Sequence, residues 1–494
     1  MSFGKFFLKK AGAGALLAAG VWGWADRSVG LGRCSTVNKV PAEQPPADLY
    51  VWGNGVRTDR SEYLGVYPGF EPTKVVVGGA AKPMEFKKVF FSEGIEAGID
   101  PKGDLYVWPT KSQLSMELYK ENTKNAPTEL NTLNPAFSTS QSTVLPDAWI
   151  LDENFTTRDG LTKISSGVVK VTVMGDNLYI LKTNGQVDKH PVKVITELEQ
   201  GIRRTAQPKK ETTVKLSTPI TDIVAGDEHL LFLTQEGQVY CLGDDTLGQC
   251  GQGVQGRPLA GPFDEKIFDK PVLVKGLEEK KIVKLAAGGT HNIAVDSEGT
   301  AWGWGNNGLL QLSHEKEFSR YTSPITVFYA PTPLNEKLGS NKVISATAGK
   351  DFTVLVTETK PEAGQNPEVE VFATGANRFG QLGLGGFSEC SDFEKLVSVS
   401  NIQFQAAPDS PLEPLRVQKL ECGNNHCLCL MDAGVLFEWG QNSKGQLGNK
   451  RKAHAENPLI VSTFKDRKII DISCGADLSG VLAEPQQQTE TSIA

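Results

Sequence analysis

The sequence predicts an all-β protein folded as a single seven-bladed β-propeller that follows an N-terminal hydrophobic segment. Three observations predict it: 51 glycines among 494 residues, short β-type runs separated by turn residues, and a unit that recurs four times in the C-terminal half. High glycine content with many short strands is typical of turn-rich all-β folds. Because a repeat breaks the usual relation between length and domain number, we interpret the chain as one large body rather than three domains.

Each repeated unit begins with a small residue, a glycine, two variable residues and, in three of the four copies, a histidine. In those three copies the first and last glycines are 17 residues apart, as in Gly288 and Gly305. In the fourth, Gly349 and Gly375 are 26 residues apart, because nine additional residues fall within 359–367. The repeated structural positions are Gly226, His229, Gly288, His291, Trp304, Gly423, His426 and Trp439.

The residues of one unit predict a small antiparallel sheet. Ile282–Ala286 and Ile293–Val295 are β-type runs, Glu298–Gly299 supplies a tight hairpin, and Thr300–Trp304 is a third strand. A Gly-Gln-Leu-Gly turn, as in Gly445–Gly448, follows each unit in intact or worn form. One such sheet cannot bury both of its faces alone. Radial stacking of neighbouring sheets buries them, and a closed ring leaves no open edge in the stack.

The number of units predicts seven blades, one of which is completed by both ends of the chain. Weaker copies lie upstream, at Gly94–Trp108 and Gly175–Val187. Asp48–Asn54 is a second half without a first half, and Ile469–Leu482 is a first half without a second. Pairing these two segments would complete one blade and pin the ring. Second halves then lie near residues 52, 108, 187, 240, 302, 372 and 437.

The first 33 residues form a separate targeting or membrane-anchor segment. Residues 1–10 contain three lysines and no acidic residue, and an uncharged Ala/Gly/Leu/Trp run, Ala11–Ala25, follows. Three interpretations compete: a membrane anchor, a secretory signal cleaved after Ala25, and a mitochondrial import signal. We favour a mitochondrial inner-membrane anchor. The lysines that precede the run would then place the propeller in the intermembrane space.

The remaining chain divides into a linker at 34–47, the propeller at 48–484 and a disordered tail at 485–494. Three longer inter-blade segments, 110–149, 193–216 and 387–414, are candidates for binding a partner, since loops on rigid scaffolds carry specificity. The second of them contains a basic cluster suited to an acidic protein or to lipid head groups. Its members are Arg203, Arg204, Lys209 and Lys210.

Overall charge argues against nucleic acid as the principal partner. The chain has a formal net charge of -7, whereas a body that wraps DNA or RNA is usually basic. A hydrophobic fraction of 39% and a charged fraction of 22% suit a globular body with a large core. The eight cysteines are too sparse for a disulfide-built scaffold.

The repeats resemble those of the regulator-of-chromosome-condensation family. The pattern that carries the resemblance is small-Gly-x-x-His, a hairpin glycine, Trp-Gly-x-Asn and Gly-Gln-Leu-Gly; it is strong over 220–484 and faint over 48–192. The resemblance implies a seven-bladed propeller. The family's founder is an exchange factor for a small GTPase, and some mitochondrial members are inner-membrane proteins linked to assembly of the cytochrome bc complex. No exchange residue can be transferred, because the repeat consensus does not carry that activity.

No motif in the chain indicates catalysis, a cofactor or a metal. Cys422, His426, Cys427 and Cys429 look like a metal cluster, but the cysteines fit small core positions of the repeat. The histidine recurs once per unit, which a catalytic residue has no reason to do. The repeat histidines are therefore interpreted as hydrogen-bonded structural residues, and His190, His314 and His454 as residues of degenerate or loop segments.

These observations lead to three functional expectations, all of them for a binding protein rather than an enzyme. The first is a mitochondrial membrane-anchored scaffold for assembly of a respiratory complex, the cytochrome bc complex (complex III), with respiratory subunits as partners. The second is an exchange factor or regulator of a small GTPase. The third is a secreted or luminal binding propeller, which predicts a glycan on Asn154.

Overall fold

The regular secondary structure of the described residues is almost entirely β-strand. The structure, a computed structural model, describes residues 9–10, 47–53, 72–77, 84–92, 95–109, 157–158, 162–191, 212–253, 266–313, 327–334, 338–360, 367–400, 402–404, 413–465 and 467–485. The N-terminal run at 11–25, most of the linker, and residues 486–494 of the tail lie outside this range. In the part of the chain that the structure does describe, no helix is both long and apolar enough to cross a membrane.

Seven sheets of the described chain form the blades, and in each the strands follow one another from the axis outward. Blade 1 contains β4 (Lys88–Ser92), β5 (Ile95–Ile99), β6 (Leu105–Pro109) and β8 (Thr162–Ser165); blade 2 contains β9 (Val168–Met174), β10 (Asn177–Lys182), β11 (Val187–Pro191) and β12 (Thr212–Val214); blade 3 contains β13 (Ile220–Ala225), β14 (His229–Thr234), β15 (Val239–Asp244) and β16 (Ile267–Leu273).

Blades 4 to 6 repeat the same order. Blade 4 contains β17 (Ile282–Ala287), β18 (His291–Asp296), β19 (Ala301–Asn306) and β20 (Val327–Pro333); blade 5 contains β21 (Lys342–Ala348), β22 (Phe352–Glu358), β23 (Val369–Gly375) and β24 (Cys390–Lys395); blade 6 contains β27 (Val417–Cys422), β28 (His426–Met431), β29 (Leu436–Gly440) and β30 (Ala455–Ile460).

Blade 7 joins the two ends of the chain. It consists of β31 (Ile469–Cys474), β32 (Leu478–Ala483), β2 (Asp48–Gly53) and β3 (Thr73–Val77), with β7 (Thr157–Arg158) added in parallel to β3. The two chain ends pair along six residues, from Asp48 opposite Ala483 to Gly53 opposite Leu478. The predicted seven-bladed propeller is therefore confirmed, and the chain ends close it as the two half-units indicated.

Two smaller elements of the described chain lie outside the blades. A three-stranded sheet joins β1 (Lys9–Lys10), β25 (Ile402–Phe404) and β26 (Glu413–Pro414), and a single 3-10 turn spans Ser462–Phe464. Phe464 is buried there, between blades 6 and 7, with its ring edge-on to that of Tyr50.

The core is a ring of apolar contacts between neighbouring blades. Alternate residues of a strand point to opposite neighbours: Cys427 and Cys429 of β28 pack toward blade 5, whereas Leu428 and Leu430 pack toward blade 7. Buried clusters of this kind join every successive pair of blades, including blades 7 and 1 through Phe91. Both faces of each inner sheet are therefore buried, which one isolated sheet could not achieve.

Candidate partner-binding face

The propeller has two faces that differ in the loops they carry. Along each blade the first strand runs toward one face, the second returns, and the third runs toward the first face again. We call this the loop face, because it carries the turns between first and second strands and the connections between third and fourth strands. The opposite side, the hairpin face, carries the second hairpins and the links between blades.

Connections between third and fourth strands are long and variable, so sequence variation concentrates on the loop face. In blade 4 the connection from β19 to β20 spans 307–326, whereas the hairpin from β18 to β19 has only four residues, 297–300. The basic cluster Arg203, Arg204, Lys209 and Lys210 belongs to the equivalent connection in blade 2, between β11 and β12, and lies outside the described residues.

The repeated glycine at each first turn is required by close packing. A Cβ on Gly288 would lie 2.1 Å from Cε1 of His291 and 2.5 Å from the carbonyl oxygen of Gly349 in the next blade. Gly226 and Gly423 are equally crowded by their own histidine and by the next blade. The motif therefore consists of a glycine that leaves room for a histidine ring and for the neighbouring backbone.

The repeated histidines bridge neighbouring blades through one polar side chain. Nε2 of His229 lies 2.7 Å from Oδ1 of Asn292, whose own Nδ2 donates to the carbonyl of Gln249. In the same way, Nε2 of His426 lies 3.0 Å from Oγ of Ser479. Because each partner uses its proton on a carbonyl of the blade that contributes the histidine, Nε2 must be the protonated nitrogen.

These histidines are neutral at physiological pH. All three are completely buried, and burial lowers the pKa of His291 to about 3 and that of His426 to about 4. Burial also lowers the pKa of His229. An imidazole that stays neutral and donates one fixed hydrogen bond serves as a structural link rather than an acid or base.

Blade 5 shows that histidine and partner change together. Phe352 occupies the histidine position there, and Cys427 occupies the partner position in blade 6. Both side chains are fully buried. An apolar pair thus replaces the hydrogen-bonded pair, so the absence of the histidine leaves no polar partner side chain of blade 6 unpaired.

The second motif links blades through its glutamine and the next tryptophan. The backbone carbonyl of Gln381 accepts from Nε1 of Trp439, and that of Gln249 accepts from Nε1 of Trp304, both at 2.8 Å. Trp52 donates in the same way to Gln446 across the closing blade. The glutamine side chain instead accepts from the amide two residues earlier, which shapes the turn on the loop face.

A chain of backbone hydrogen bonds ties the first turns together around the axis. Five bonds connect blades 2 to 7 in order, each from one turn to the next. They run from Gly175 to Asp227 (3.1 Å), Asp227 to Gly289 (2.9 Å), Gly289 to Lys350 (2.9 Å), Lys350 to Asn424 (3.0 Å) and Asn424 to Ala476 (3.1 Å). The inner rim of the loop face is therefore held by main chain, which leaves its side chains free to vary.

Charged side chains of both signs are exposed on the loop face, on different blades. Exposed Asp227 and Glu228 lie on blade 3, whereas Arg378 on blade 5 and Arg451 on blade 6 are exposed and basic. Lys350 lies between the two regions, and its Nζ is 3.6 Å from Asp227. Arg378 is itself paired with Glu389, 3.6 Å away on the same connection, so blade 5 exposes both signs of charge here.

Cysteines 422, 427 and 429 belong to the blade core and do not form a metal site. Cys427 and Cys429 are fully buried, and burial raises the pKa of both thiols. Among the described residues, no group of three or more His, Cys, Asp or Glu side chains is placed to hold a metal ion. All seven described cysteines are free thiols.

Sequence reasoning missed the ion pairs of the inner strands. Lys170 of blade 2 pairs with Asp222 of blade 3, and Lys419 of blade 6 pairs with Asp471 of blade 7, both at 2.7 Å. Their registers place all four at the same level of the axis. The sequence contains a signal for these pairs, because each of the four charged residues lies four or five positions before the glycine of its first turn. The residue type at that position differs from blade to blade, however, so it does not stand out as a repeat.

Known proteins with similar sequences contain the same repeat. The family model described as regulator of chromosome condensation (RCC1) repeat matches residues 236–295, 298–356, 370–430 and 433–482, and a second model of that description matches 220–249 and 282–311. Human E3 ubiquitin-protein ligase HERC2 is 26% identical over 312 residues, which is 63% of this chain and 6% of that protein.

Two further relatives are closer to this chain in length. The zebrafish Protein RCC2 homolog is 26% identical over 52% of this chain and 49% of its own. The human RCC1-like G exchanging factor-like protein is 27% identical over 54% of this chain and 50% of its own. This chain therefore spans about half the length of these curated relatives, and far less of the ligase.

Solved structures share the fold over nearly the whole chain. Human WBSCR16 superposes with a TM-score of 0.56 at 20% identity, covering 89% of this chain and 99% of that one. Prp20p from Saccharomyces cerevisiae gives 0.57 at 16% identity, covering 90% and 93%. Together with the repeat matches, these likenesses show that the chain belongs to the regulator of chromosome condensation (RCC1) repeat family of β-propellers.

Proposed function

We propose that this protein is a protein-binding propeller that regulates a small GTPase by promoting nucleotide exchange. The observation that carries the proposal is the similarity to the human RCC1-like G exchanging factor-like protein over half of both chains. Prp20p has binding properties to Gsp1p and histones, which supports protein partners for propellers of this family. The ligase activity named for HERC2 is not transferred, since the match covers 6% of that protein.

The architecture suits exchange by binding rather than by chemistry. An exchange factor that binds the nucleotide-free GTPase more tightly than the loaded form lowers the affinity of the GTPase for nucleotide, because the two binding equilibria are linked. A rigid surface does this well, since little of its binding energy is lost in ordering loops. The turn-to-turn hydrogen bonds and buried histidine links provide such rigidity on the loop face.

The test measures release of a fluorescent GDP analogue from a panel of purified small GTPases, with Gsp1p among them, in the presence of the full chain. We expect at least one member to release nucleotide about tenfold faster or more. The double variant Asp227→Asn with Glu228→Gln, on the loop face, should lower that acceleration through weaker association.

The matched control is Glu279→Gln with Glu298→Gln, which removes two exposed charges from the hairpin face. It should leave the acceleration unchanged. If no GTPase on the panel responds to the propeller, the exchange proposal is wrong. If both double variants lose activity equally, the loop face is not the contact surface.

The mitochondrial inner-membrane location, with the propeller in the intermembrane space, stays a prediction based on residues 1–33. Protease sensitivity of a C-terminal tag, before and after rupture of the outer membrane, tests it. Assembly of the cytochrome bc complex likewise stays a prediction, and unchanged levels of that complex in a deletion strain would contradict it. Cleavage after Ala25 with a glycan on Asn154 would instead support a secreted propeller.

A further inference from the structure

A cleft opens on the loop face where the third connections of blades 5 and 6 meet. Its volume is ≈ 350 Å³. Phe387 contributes from blade 5, and the other described lining residues come from β30 of blade 6 and from the segment that leads into it. The side chains that line it include Phe387, Arg451, His454, Glu456 and Leu459.

The cleft has an unusually apolar wall for an exposed site. Phe387 is 48% exposed and Leu459 is 42% exposed, and both line it. Six large hydrophobic side chains of the described chain are exposed, and the other four do not line the cleft. Two such side chains in one concave site suit insertion of a large apolar side chain from a partner.

The lining of the cleft also includes a basic side chain. Lys450, Arg451 and Lys452 are consecutive and exposed, and Arg451 lines the cleft directly. The chain as a whole is acidic, with a net charge of -7, so this basic turn stands out locally. Because charges separated by more than about 8 Å are largely screened at physiological salt, the local charge governs what binds here.

One buried side chain holds the basic turn in its shape. The amide nitrogen Nδ2 of Asn442 donates to Oδ1 of Asn449 at 2.9 Å and to the carbonyl of Arg451 at 2.7 Å, and Asn442 is completely buried. Its backbone N–H donates to Nδ1 of His454 at 3.0 Å. The turn is therefore pre-organised, which lowers the entropic cost of binding.

The two blades are also locked together at the cleft. The ring of His454 stands edge-on to that of Phe379 in blade 5, with centroids 5.2 Å apart. His454 thus has the partners that its sequence context did not reveal. Since the cleft exists only where these connections meet, neither blade alone predicts it.

We propose that this cleft binds a short acidic segment of a partner protein, with a large apolar side chain between Phe387 and Leu459 and carboxylates against Arg451. Glu456 is the one acidic residue among the described lining residues, and its charge disfavours a carboxylate placed beside it. This site is independent of nucleotide exchange and stands whether or not a GTPase is the partner.

The experiment uses an array of short fluorescein-labelled peptides that combine aspartate and glutamate with one phenylalanine or leucine, each beside its amide counterpart with every acid replaced by Gln or Asn. Binding to the full chain is followed by fluorescence anisotropy. We expect acidic peptides to bind and their amide counterparts to bind about tenfold more weakly. Raising ionic strength from about 0.1 M to about 1 M should weaken the acidic peptides alone.

Variants assign the binding to the cleft. Arg451→Glu should raise the Kd of the acidic peptides about tenfold, and Phe387→Ala should raise it several-fold. Lys465→Glu, on the hairpin face, and Ile267→Ala, an apolar residue 62% exposed on blade 3, are the matched controls and should change nothing. Acidic peptides that bind no better than their amides, or that bind equally well to Arg451→Glu, would overturn the proposal, and so would preference for anionic vesicles over every peptide.

Discussion

At the scale of single residues, the repeat glycines show how a short motif can encode contact between blades. Gly288 sits where a methyl group would touch a histidine ring and a carbonyl of the next blade at once. Its backbone is not in the left-handed region, so the requirement is one of space alone. The carbonyl belongs to backbone that is itself hydrogen-bonded, and the ring is buried, so neither can move aside cheaply.

Gly288→Ala should therefore destabilise the protein by about 2–4 kcal/mol, because the new Cβ must displace packed atoms. The measurement is urea unfolding followed by tryptophan fluorescence. Gly386→Ala is the control, since nothing lies within 4 Å of a Cβ built there, and it should change stability by less than about 0.5 kcal/mol. Equal losses in both variants would contradict the packing argument.

A buried carboxyl group is the opposite case, a residue that costs stability. Glu438 is 1% exposed, lies opposite Leu428 and Leu459 on the adjacent strands, and occupies a position filled by Gly303 in blade 4 and Ala373 in blade 5. Its Oε2 has no hydrogen-bond partner among the described residues. Burial raises the pKa of this carboxyl well above its usual value, which favours the protonated form in the folded state.

The raised pKa fixes the sign of the pH effect. Below the unfolded pKa of about 4.3 both states are protonated, and above it the unfolded state alone ionises, so folding loses stability as pH rises. Glu438→Gln removes this loss and should stabilise the protein by about 1–3 kcal/mol at pH 8, with little effect at pH 4. Urea unfolding at both pH values tests it, beside the exposed control Glu298→Gln; a loss of stability at pH 8 would show that the carboxyl has a partner.

At the scale of strands and blades, the histidine links make the contact between neighbouring second strands sensitive to acid. His426 is neutral when folded, with a pKa of about 4, but takes up a proton near pH 6.5 when unfolded. The stability that the neutral, buried imidazole contributes is complete above the pKa of the unfolded state, about 6.5, and is lost as pH falls toward the pKa of the folded state, about 4. At pH 5 the ionisation of His426 should cost roughly 2 kcal/mol of stability relative to pH 7.

His426→Phe reproduces the side chain that blade 5 has at the same position, Phe352. Ser479 keeps its hydrogen bond to the carbonyl of Gln446 in this variant, so no buried donor is left unpaired. The stability lost between pH 7 and pH 5 should be smaller than in the wild type by about 2 kcal/mol. An unchanged pH dependence would mean that His426 is not neutral when folded.

The sequence predicted the blades well and their contacts poorly, for a physical reason. Hairpin glycines such as Gly299, with φ of 89°, and the periodic strands are local signals that repeat unchanged. The histidine's partner is an asparagine, a threonine or a serine depending on the blade, because any small side chain that accepts one bond and donates another suffices. Because several residue types meet this requirement, no single residue type recurs at the partner position.

The candidate sites were predicted less well, because they depend on which loops meet in space. The cleft joins Phe387 to a turn some sixty residues later. Asn442 is the asparagine of the Trp-Gly-x-Asn pattern, and only the structure shows that its side chain holds that turn in shape. The placement of charged side chains on the loop face also needs the order of the blades around the ring. Only the topology supplies that order.

At the scale of the whole molecule, stability depends on closing the ring. Strand β32 lies in the middle of blade 7, paired with β31 on one side and β2 on the other. It buries Val481 and Leu482 completely, and Trp52 of β2 reaches across to blade 6. Removal of β32 would leave β2 without its inner neighbour and would expose the apolar faces of blades 6 and 1.

A chain that ends at residue 477 should therefore lose cooperative folding, whereas a chain that ends at residue 485 should unfold with the midpoint and m-value of the full chain. The m-value is informative because it scales with the surface exposed on unfolding, and an open ring has less buried surface to expose. Urea unfolding of the three chains, monitored by circular dichroism and tryptophan fluorescence, tests this. If the chain ending at 477 unfolds in one transition that coincides by circular dichroism and by fluorescence, six blades are stable without closure of the ring. The interfaces between neighbouring blades would then suffice for cooperative folding, as they do in open repeat arrays.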